Sequence, residues 1–589
     1  MIPRLFRRSA SITVSPCPPL GLDMQTGRQP NVVLGSRRKQ SIDVGRTRLI
    51  VAASIFAFAF VIVSVRLVEL AVFKPGQEPH VASTSDAERL ETGRADIVDR
   101  NGIVLATTLP AASLYANARQ IDNPKRVAAQ LSAVLVDVSE PRLERLLSSD
   151  RAFVYLKRDL SPREQFEVNA LGVPGLYFQK ENKRVYPQGA LTAQIVGFTD
   201  IDNRGLAGME QAFDEVLRGR TEPLPLSVDL RVQHVLAEEL GIAMNEFSAI
   251  GAAGVVLDVE TGEVVAMASL PTFEPSEVGT ASNDARFNRA TLGTYEMGSV
   301  FKVFTAAMAL DSGRVSITDS FDVSKPIRIA RFTINDYKPK GRALSVPEIL
   351  IYSSNIGTVH MVEQIGSEMQ QQYLGALGLL EPISIELPEV GSPLVPLPWR
   401  EINMMTVSYG HGLSVSPLQL AGAMATVVNG GIQKPMTLLR RPPNKPVGGE
   451  RVLKAETSEK VRWLMRQVVV EGTGKFANAK GYRVGGKTGT SDKLRGGRYS
   501  DNARIASFVG AFPMDNPRYV VFAMVDEPKG LKRTYGYATG GWVAAPVVGN
   551  VVERIAPLLG VARRDLELPA PRELGPLLEA KADAGQTTH

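Results

Sequence analysis

Cysteine is all but missing from this 589-residue chain: Cys17 is the only one. Everything downstream of it is therefore without disulfides, cysteine-ligated metals or a thiol nucleophile. Histidine is nearly as scarce. The five, His80, His234, His360, His411 and His589, are scattered without metal-ligand spacing, which gives no support to a metal centre and little to a Ser-His-Asp triad. Acyl chemistry in this chain needs another base. A basic face for nucleic acid is lacking too. The net charge is +6, but residues 1–48 hold nine Lys or Arg against Asp23 and Asp43, a charge of +7, so all the rest together carries −1. The alkaline balance reports a tail, and no nucleic-acid partner is expected.

Charge is absent again across residues 49–65, and residues 66–73 extend the apolar character. At about 1.5 Å per residue this stretch can cross a hydrocarbon layer of roughly 30 Å, with Arg66 snorkelling to its edge. No small-residue A-x-A cleavage pattern follows, so residues 49–73 are expected to stay as a transmembrane anchor. The positive-inside rule puts residues 1–48 in the cytoplasm and the chain from about residue 74 beyond the membrane.

What remains is globular in composition, 44% hydrophobic, and long enough for two or three domains. Residues 92–222 read as mixed α/β, opening with strand, turn and strand over 97–105, where Asn101-Gly102 supplies a positive-φ corner. The Pro-rich run at 221–225 marks a boundary. Beyond it come a helix over 230–247, a hairpin of 253–259 and 264–270 around Glu260-Thr261-Gly262, strands at 506–512 and 519–525, and a closing apolar helix over 542–559. Antiparallel strands with helices on both sides make an α+β core. The expected division is a tail at 1–48, the anchor at 49–73, an N-terminal α/β domain at 74–226, a main domain at 227–562, and a flexible tail at 563–589 rich in Pro, Ala and charge.

Three short motifs carry the chemistry: Ser299-x-x-Lys302, Ser353-Ser354-Asn355, and Lys487-Thr488-Gly489-Thr490. Each alone is weak, since a second Ser-x-x-Lys occurs at Ser36 to Lys39 and a literal Ser500-Asp501-Asn502 follows the Lys-Thr-Gly segment. Residues 481–488 also satisfy a P-loop pattern. A P-loop needs a helix starting at its Lys-Thr, and here the chain continues as Gly489-Thr490-Ser491-Asp492-Lys493 and then Gly496-Gly497, which is loop chemistry.

Gly298 precedes an apolar run from Val300 to Leu310 that covers every face of a predicted helix, so that helix is buried. Ser299 then sits in its first turn, where free N–H groups favour developing negative charge. Lys302, three residues on, shares its face. For that amine to act as a base near neutrality its pKa must fall by about 3 units, which burial and a second cation, Lys487, can supply. Neutral Lys302 would take the Ser299 proton as the hydroxyl attacks a carbonyl. Ser353 would relay a proton to the leaving amine, and Asn355 would hydrogen-bond the substrate peptide. Residues 483–490 read as an edge strand along which an extended peptide can lie, with Lys487 and the Thr488 and Thr490 hydroxyls meeting a carboxylate. The Thr490 and Ser299 N–H groups would serve the oxyanion.

This order of motifs resembles that of penicillin-binding proteins and class A β-lactamases. Arg94-Ala95-Asp96-Ile97-Val98-Asp99-Arg100-Asn101-Gly102, Arg184-Val185-Tyr186-Pro187, Gly208-Met209-Glu210 with Phe213-Asp214, and Gly410-His411-Gly412-Leu413-Ser414-Val415-Ser416-Pro417-Leu418-Gln419 are similar to class B penicillin-binding proteins of the septal type. The resemblance implies a penicillin-binding transpeptidase fold on an N-terminal pedestal, and a periplasmic D,D-transpeptidase that needs no cofactor. Such an enzyme attacks the D-Ala-D-Ala end of a peptidoglycan stem peptide during septal wall synthesis, and penicillins acylate its serine. It also implies division partners, including a SEDS-type glycan polymerase in the membrane. Met297 and Val303 stand where the family often has proline. Asn355 favours the septal branch over the elongation branch, whose members tend to carry Asp there. An elongation-type enzyme, a β-lactamase or carboxypeptidase, and a penicillin-binding sensor or inactive scaffold remain as alternatives, although no clear Glu-containing deacylation loop is present.

Overall fold

The computed structural model describes residues 50, 53–64, 93–330, 332–443, 445–495, 498–564 and 569–574. The chain divides into two compact units, residues 1–88 and 89–589. In the first, residues 53–64 are helical, and their large apolar side chains, Phe56, Phe58 and Phe60 among them, are exposed. Among the described residues no helix is long and apolar enough to cross a membrane. The rest of the expected span and the basic tail, with Cys17, lie outside the described residues.

The second unit opens with a five-stranded sheet: β1 (Ile97–Val98), β2 (Val104–Ala116), β3 (Val154–Leu160), β4 (Leu176–Val185) and β5 (Leu224–Pro225). The turn between β1 and β2 is the expected one, with Gly102 at φ 85° and the Asp99 carboxylate accepting from the Asn101 and Ile103 N–H groups at 2.7 and 2.8 Å. The Pro-rich run also supplies this sheet with its last strand, just ahead of the expected boundary. Leu224–Pro225 pairs in parallel with β1, because proline is tolerated on an edge strand. Three helices, α1 (Pro124–Val134), α2 (Glu140–Leu147) and α3 (Pro162–Ala170), cover one face and bury Leu131, Leu143 and Val168 against Leu114 and Leu156. Each begins with Asn or Ser at the N-cap and proline in the first turn, where its missing N–H costs nothing.

The family-like segments of this region meet in one place. Glu210, on the short helix α4 (Gly208–Ala212), is fully buried between Arg94 and Arg184. It bonds the Arg94 guanidinium through one oxygen and Arg184 Nε through the other at 2.7 Å, while Arg94 also reaches Asp214 at 2.6 Å. A buried carboxylate is tolerable only with such pairing.

The main domain is built on a second five-stranded, wholly antiparallel sheet. Helix α5 (Leu230–Glu246) leads into β6 (Gly251–Asp258) and β7 (Val264–Leu270). Later come α6 (Phe301–Asp311), α7 (Val346–Tyr352), α8 (Asn355–Ala376), α9 (Pro417–Val428) and α10 (Ala455–Val470). Strands β8 (Gly485–Arg495), β9 (Arg498–Phe512) and β10 (Tyr519–Asp526) and helix α11 (Gly540–Leu558) complete it. The strand order is β8-β9-β10-β6-β7, so β8 is an edge, as expected. It is longer than the sequence indicated and begins at Gly485. Ser500-Asp501-Asn502 falls within its partner β9.

Both faces of the sheet are covered, which explains why its strands read as continuous apolar runs. All eight residues of β10 are buried, and they alternate: Val521, Ala523 and Val525 pack with α5 and α11, while Val520, Phe522 and Met524 pack with α6, α9 and α10. The residues expected to start a flexible tail dock instead. The Arg564 N–H donates to the Gly481 carbonyl at 2.7 Å, and Leu574 is buried in the main core. Residues 565–568 and 575–589 lie outside the described residues.

Candidate active site

Three elements converge. Residues 298–300 form a single 3-10 turn that runs directly into α6, so Ser299 stands at the mouth of a buried helix and Lys302 one turn inside it. Ser299 is half-buried, whereas Lys302 has no exposure at all. Ser353 ends α7 in the left-handed conformation, φ 59°, and Ser354 caps α8 by accepting from Gly357 N–H at 3.0 Å. The third element is the edge strand β8.

Glycine permits the close approach of the first and third. Gly298 sits at φ 55°, and a Cβ there would stand 2.5 Å from the Thr490 carbonyl oxygen. A Cβ on Gly489 would run into the Met297 carbonyl and Ser507 Oγ. The nucleophile turn thus rests directly on the Lys-Thr-Gly strand.

Lys302 Nζ is ringed by three oxygens, the Ser353 carbonyl at 2.6 Å, Ser353 Oγ at 3.1 Å and Asn355 Oδ1 at 2.7 Å. Lys487 is equally buried and donates to the same Ser353 Oγ at 2.9 Å, with Thr488 Oγ1 at 3.4 Å. Ser353 therefore links the two amines. Burial holds the Lys302 pKa well below the ordinary lysine value, and the nearby Lys487 lowers it further while Asp336 opposes both. Burial alone brings Lys487 down to about 7. Both effects favour the uncharged form of the Lys302 amine, the form that can accept a proton.

The other expected site residues are partly engaged already. Asn355 accepts from Lys302 Nζ at Oδ1 and donates through Nδ2 to the Asn335 carbonyl at 2.8 Å, which leaves one N–H and one lone pair for a peptide. Thr488 Oγ1 shares a hydrogen bond of 2.8 Å with Thr473 Oγ1, and Thr490 Oγ1 accepts from Gly540 N–H at 3.0 Å at the start of α11. Each hydroxyl keeps capacity for a carboxylate. Among the described residues no hydrogen bond joins Ser299 Oγ to Lys302 Nζ. Apo hydrogen bonds of this kind commonly tighten only with substrate in place.

Two participants went unread in the sequence. Asp336 binds the middle motif through Ser354 Oγ at 2.7 Å, Asn355 N–H at 2.6 Å and Ile356 N–H at 3.0 Å. Glu296, three residues before Ser299, accepts from Gly412 N–H at 2.8 Å and Tyr499 Oη at 3.1 Å and pairs with His411 at 3.2 Å. The loop it holds abuts the nucleophile turn, since Gly298 N–H donates to the Gly410 carbonyl at 3.1 Å. Neither carboxylate belongs to a motif with a fixed spacing, so no local signal marked them.

Residues 252–553 match the family described as the penicillin binding protein transpeptidase domain, and residues 89–231 match the penicillin-binding protein dimerisation domain. The chain is 40% identical to the probable peptidoglycan D,D-transpeptidase FtsI of Caulobacter vibrioides over 537 residues, covering 89% of this chain and 90% of that one. It is 30% identical to the peptidoglycan D,D-transpeptidase FtsI of Escherichia coli over 504 residues, 79% and 83% of the two chains. Among solved structures it is similar to penicillin binding protein 3 of Mycobacterium tuberculosis complexed with aztreonam. The TM-score is 0.64 at 26% identity, over 81% of this chain and 99% of that one.

Proposed function

The chain belongs to the class B penicillin-binding proteins and is a peptidoglycan D,D-transpeptidase of the septal, FtsI-like type and a β-lactam target; from that premise we propose how its residues divide the work. Ser299 is the nucleophile and uncharged Lys302 its base. As Ser299 Oγ attacks the penultimate D-Ala carbonyl of a stem peptide, its proton passes to Lys302 Nζ. The Ser299 and Thr490 N–H groups stabilise the oxyanion. The proton then travels through Ser353 Oγ to the terminal D-Ala nitrogen as the peptide bond breaks, leaving an ester on Ser299 and free D-Ala. An acceptor amine on a second stem reverses the steps, losing its proton along the same relay and leaving the cross-linked peptide. Lys487 in its charged form, with Thr488 and Thr490, holds the terminal carboxylate, and an extended donor peptide with Asn355 on its other side lies along β8.

The observation that carries this reading is the bridge itself: two fully buried lysines meeting at Ser353 Oγ, with burial and the second cation both disfavouring the proton on Lys302. The exposed apolar helix at 53–64 behind a basic tail supports an inner-membrane anchor, with the N-terminus in the cytoplasm and the catalytic domain in the periplasm. The region at 74–226 is the pedestal for division partners, a SEDS glycan polymerase among them.

The test is labelling with a fluorescent penicillin in the wild type, Ser299→Ala and Lys302→Ala. Label retained for hours by the wild type and absent from both variants is expected. Loss within seconds would point to a hydrolase, and labelling of Ser299→Ala would overturn the nucleophile. Fewer cross-links in cells depleted of the protein separates an enzyme from a sensor.

A further inference from the structure

The middle motif owes its geometry to a carboxylate outside all three motifs. Asp336 follows a small hairpin, Ile327–Ile329 with Phe332–Ile334, and its side chain is buried at the N-terminus of α8. One oxygen accepts from the Asn355 and Ile356 N–H groups at 2.6 and 3.0 Å, and the other from Ser354 Oγ at 2.7 Å. Those N–H groups have no partner inside the helix, and the positive helix end favours an anion there. The preceding residue, Asn335, accepts the Asn355 Nδ2 proton with its carbonyl at 2.8 Å, which fixes the amide so that Oδ1 faces Lys302.

The consequence reaches the reacting atoms through Ser353 and Asn355. Ser353 stands in the left-handed region, which a serine adopts only when its surroundings impose it. Its neighbour Ser354 is clamped between Asp336 and the Gly357 N–H, and the pose so fixed presents Ser353 Oγ to both amines. We propose that Asp336 is a positioning residue of the transpeptidase site, holding Ser353 and Asn355 in the one arrangement that serves Lys302, and setting the charge that Lys302 feels.

Among the described residues two charged groups act on Lys302: Lys487 from β8, which disfavours its proton, and Asp336 from ahead of α7, which favours it. Removing the Asp336 charge therefore lowers the pH at which Lys302 gains a proton. Acylation needs the uncharged amine, so the acid limb of the acylation profile moves to lower pH. Loss of positioning acts separately, on the height of the plateau. A residue with only a structural role would move neither in a protein that remains folded.

The experiment measures Ser299 acylation by a fluorescent penicillin with the full chain in detergent, from pH 4.5 to 9. The first-order acylation constant is separated from the non-covalent dissociation constant by varying the penicillin. Asp336→Asn keeps the size and removes the charge, and Asp336→Glu keeps the charge at a longer reach. Asp336→Asn is expected to lower the plateau by about tenfold to a hundredfold, to change the dissociation constant less than threefold, and to shift the acid limb downward. Asp336→Glu is expected to lower the plateau with the limb in place. An Asp336→Asn protein with wild-type plateau and limb overturns the proposal. So does a loss confined to the dissociation constant. If Asp336→Asn fails to fold, Asp336→Glu decides, and a wild-type plateau there overturns the positioning role. The proposal rests on Lys302 being the base, and the two failures are distinguishable. Wild-type label that survives in Ser299→Ala removes the catalytic assignment, whereas label confined to Ser299 with an unaffected Asp336→Asn removes only this one.

Discussion

Replacing Lys487 by methionine should stabilise the protein while disabling it. The side chain is fully buried among atoms that solvate a charge poorly, and its pKa falls from 10.5 to about 7. In the unfolded chain the amine keeps its proton up to its ordinary value. Between pH 7 and 10.5 the unfolded state therefore binds more protons than the native state, and this group's contribution to stability rises with pH through that window. At or below pH 7 the full penalty of burying the group is present. At about 1.4 kcal/mol per pKa unit it is of order 5 kcal/mol. Methionine fills a similar volume and needs no proton; it forfeits the 2.9 Å bond to Ser353 Oγ, which stays bonded to Lys302, and longer contacts to Thr488. A net gain of about 2 to 4 kcal/mol at pH 6.5 is expected, an upward Tm shift of about 5 °C. It should shrink toward zero near pH 10, with penicillin acylation strongly reduced throughout. Thermal unfolding of both proteins at pH 6.5, 8 and 10 is the assay. A difference that is the same at all three pH values, or a variant less stable at pH 6.5, would refute the linkage argument.

The same lysine predicts that non-covalent penicillin affinity weakens as pH rises past about 7, because the ligand carboxylate then loses its cation; competition binding to Ser299→Ala over pH 6 to 9 checks this, and a flat profile contradicts it. Gly298→Ala should fold yet acylate at least tenfold more slowly, since φ 55° and the Thr490 carbonyl at 2.5 Å leave no room for a methyl group without moving the turn; a wild-type acylation rate would show that the turn tolerates it. Glu210→Ala should cost about 3 kcal/mol in denaturant unfolding by leaving Arg184 without a carboxylate and Arg94 with Asp214 alone, while the folded fraction still labels at Ser299; a loss under 1 kcal/mol would mean the guanidinium groups find water.

Much of the site was legible because its chemistry depends on local spacing. A serine and a lysine three apart at the head of an all-apolar helix can be read without knowing what packs on them, and so can a Lys-Thr-Gly strand at a sheet edge. The alternation of β10 was legible only as hydrophobicity, because burial on both faces erases the polar half of the pattern. The parallel pairing of Leu224–Pro225 with Ile97–Val98 was hidden, since a proline-rich run at a boundary gives no sign of the distant strand whose edge it takes. Asp336 and Glu296 were hidden for a related reason. Each acts on a partner 18 residues or more away through a side-chain carboxylate, and no periodicity links them. Ser353 as the shared partner of both lysines was likewise a product of the fold, because it joins residues 51 and 134 positions apart.

The central claim, that an uncharged buried amine strips the Ser299 proton, is tested most directly by the first-order acylation constant of wild type, Lys302→Arg and Lys302→Met, each verified as folded. Arginine stays charged and methionine cannot accept a proton. The account predicts losses of at least about a thousandfold in both variants at pH 7. A variant within tenfold of wild type at pH 7 would contradict it.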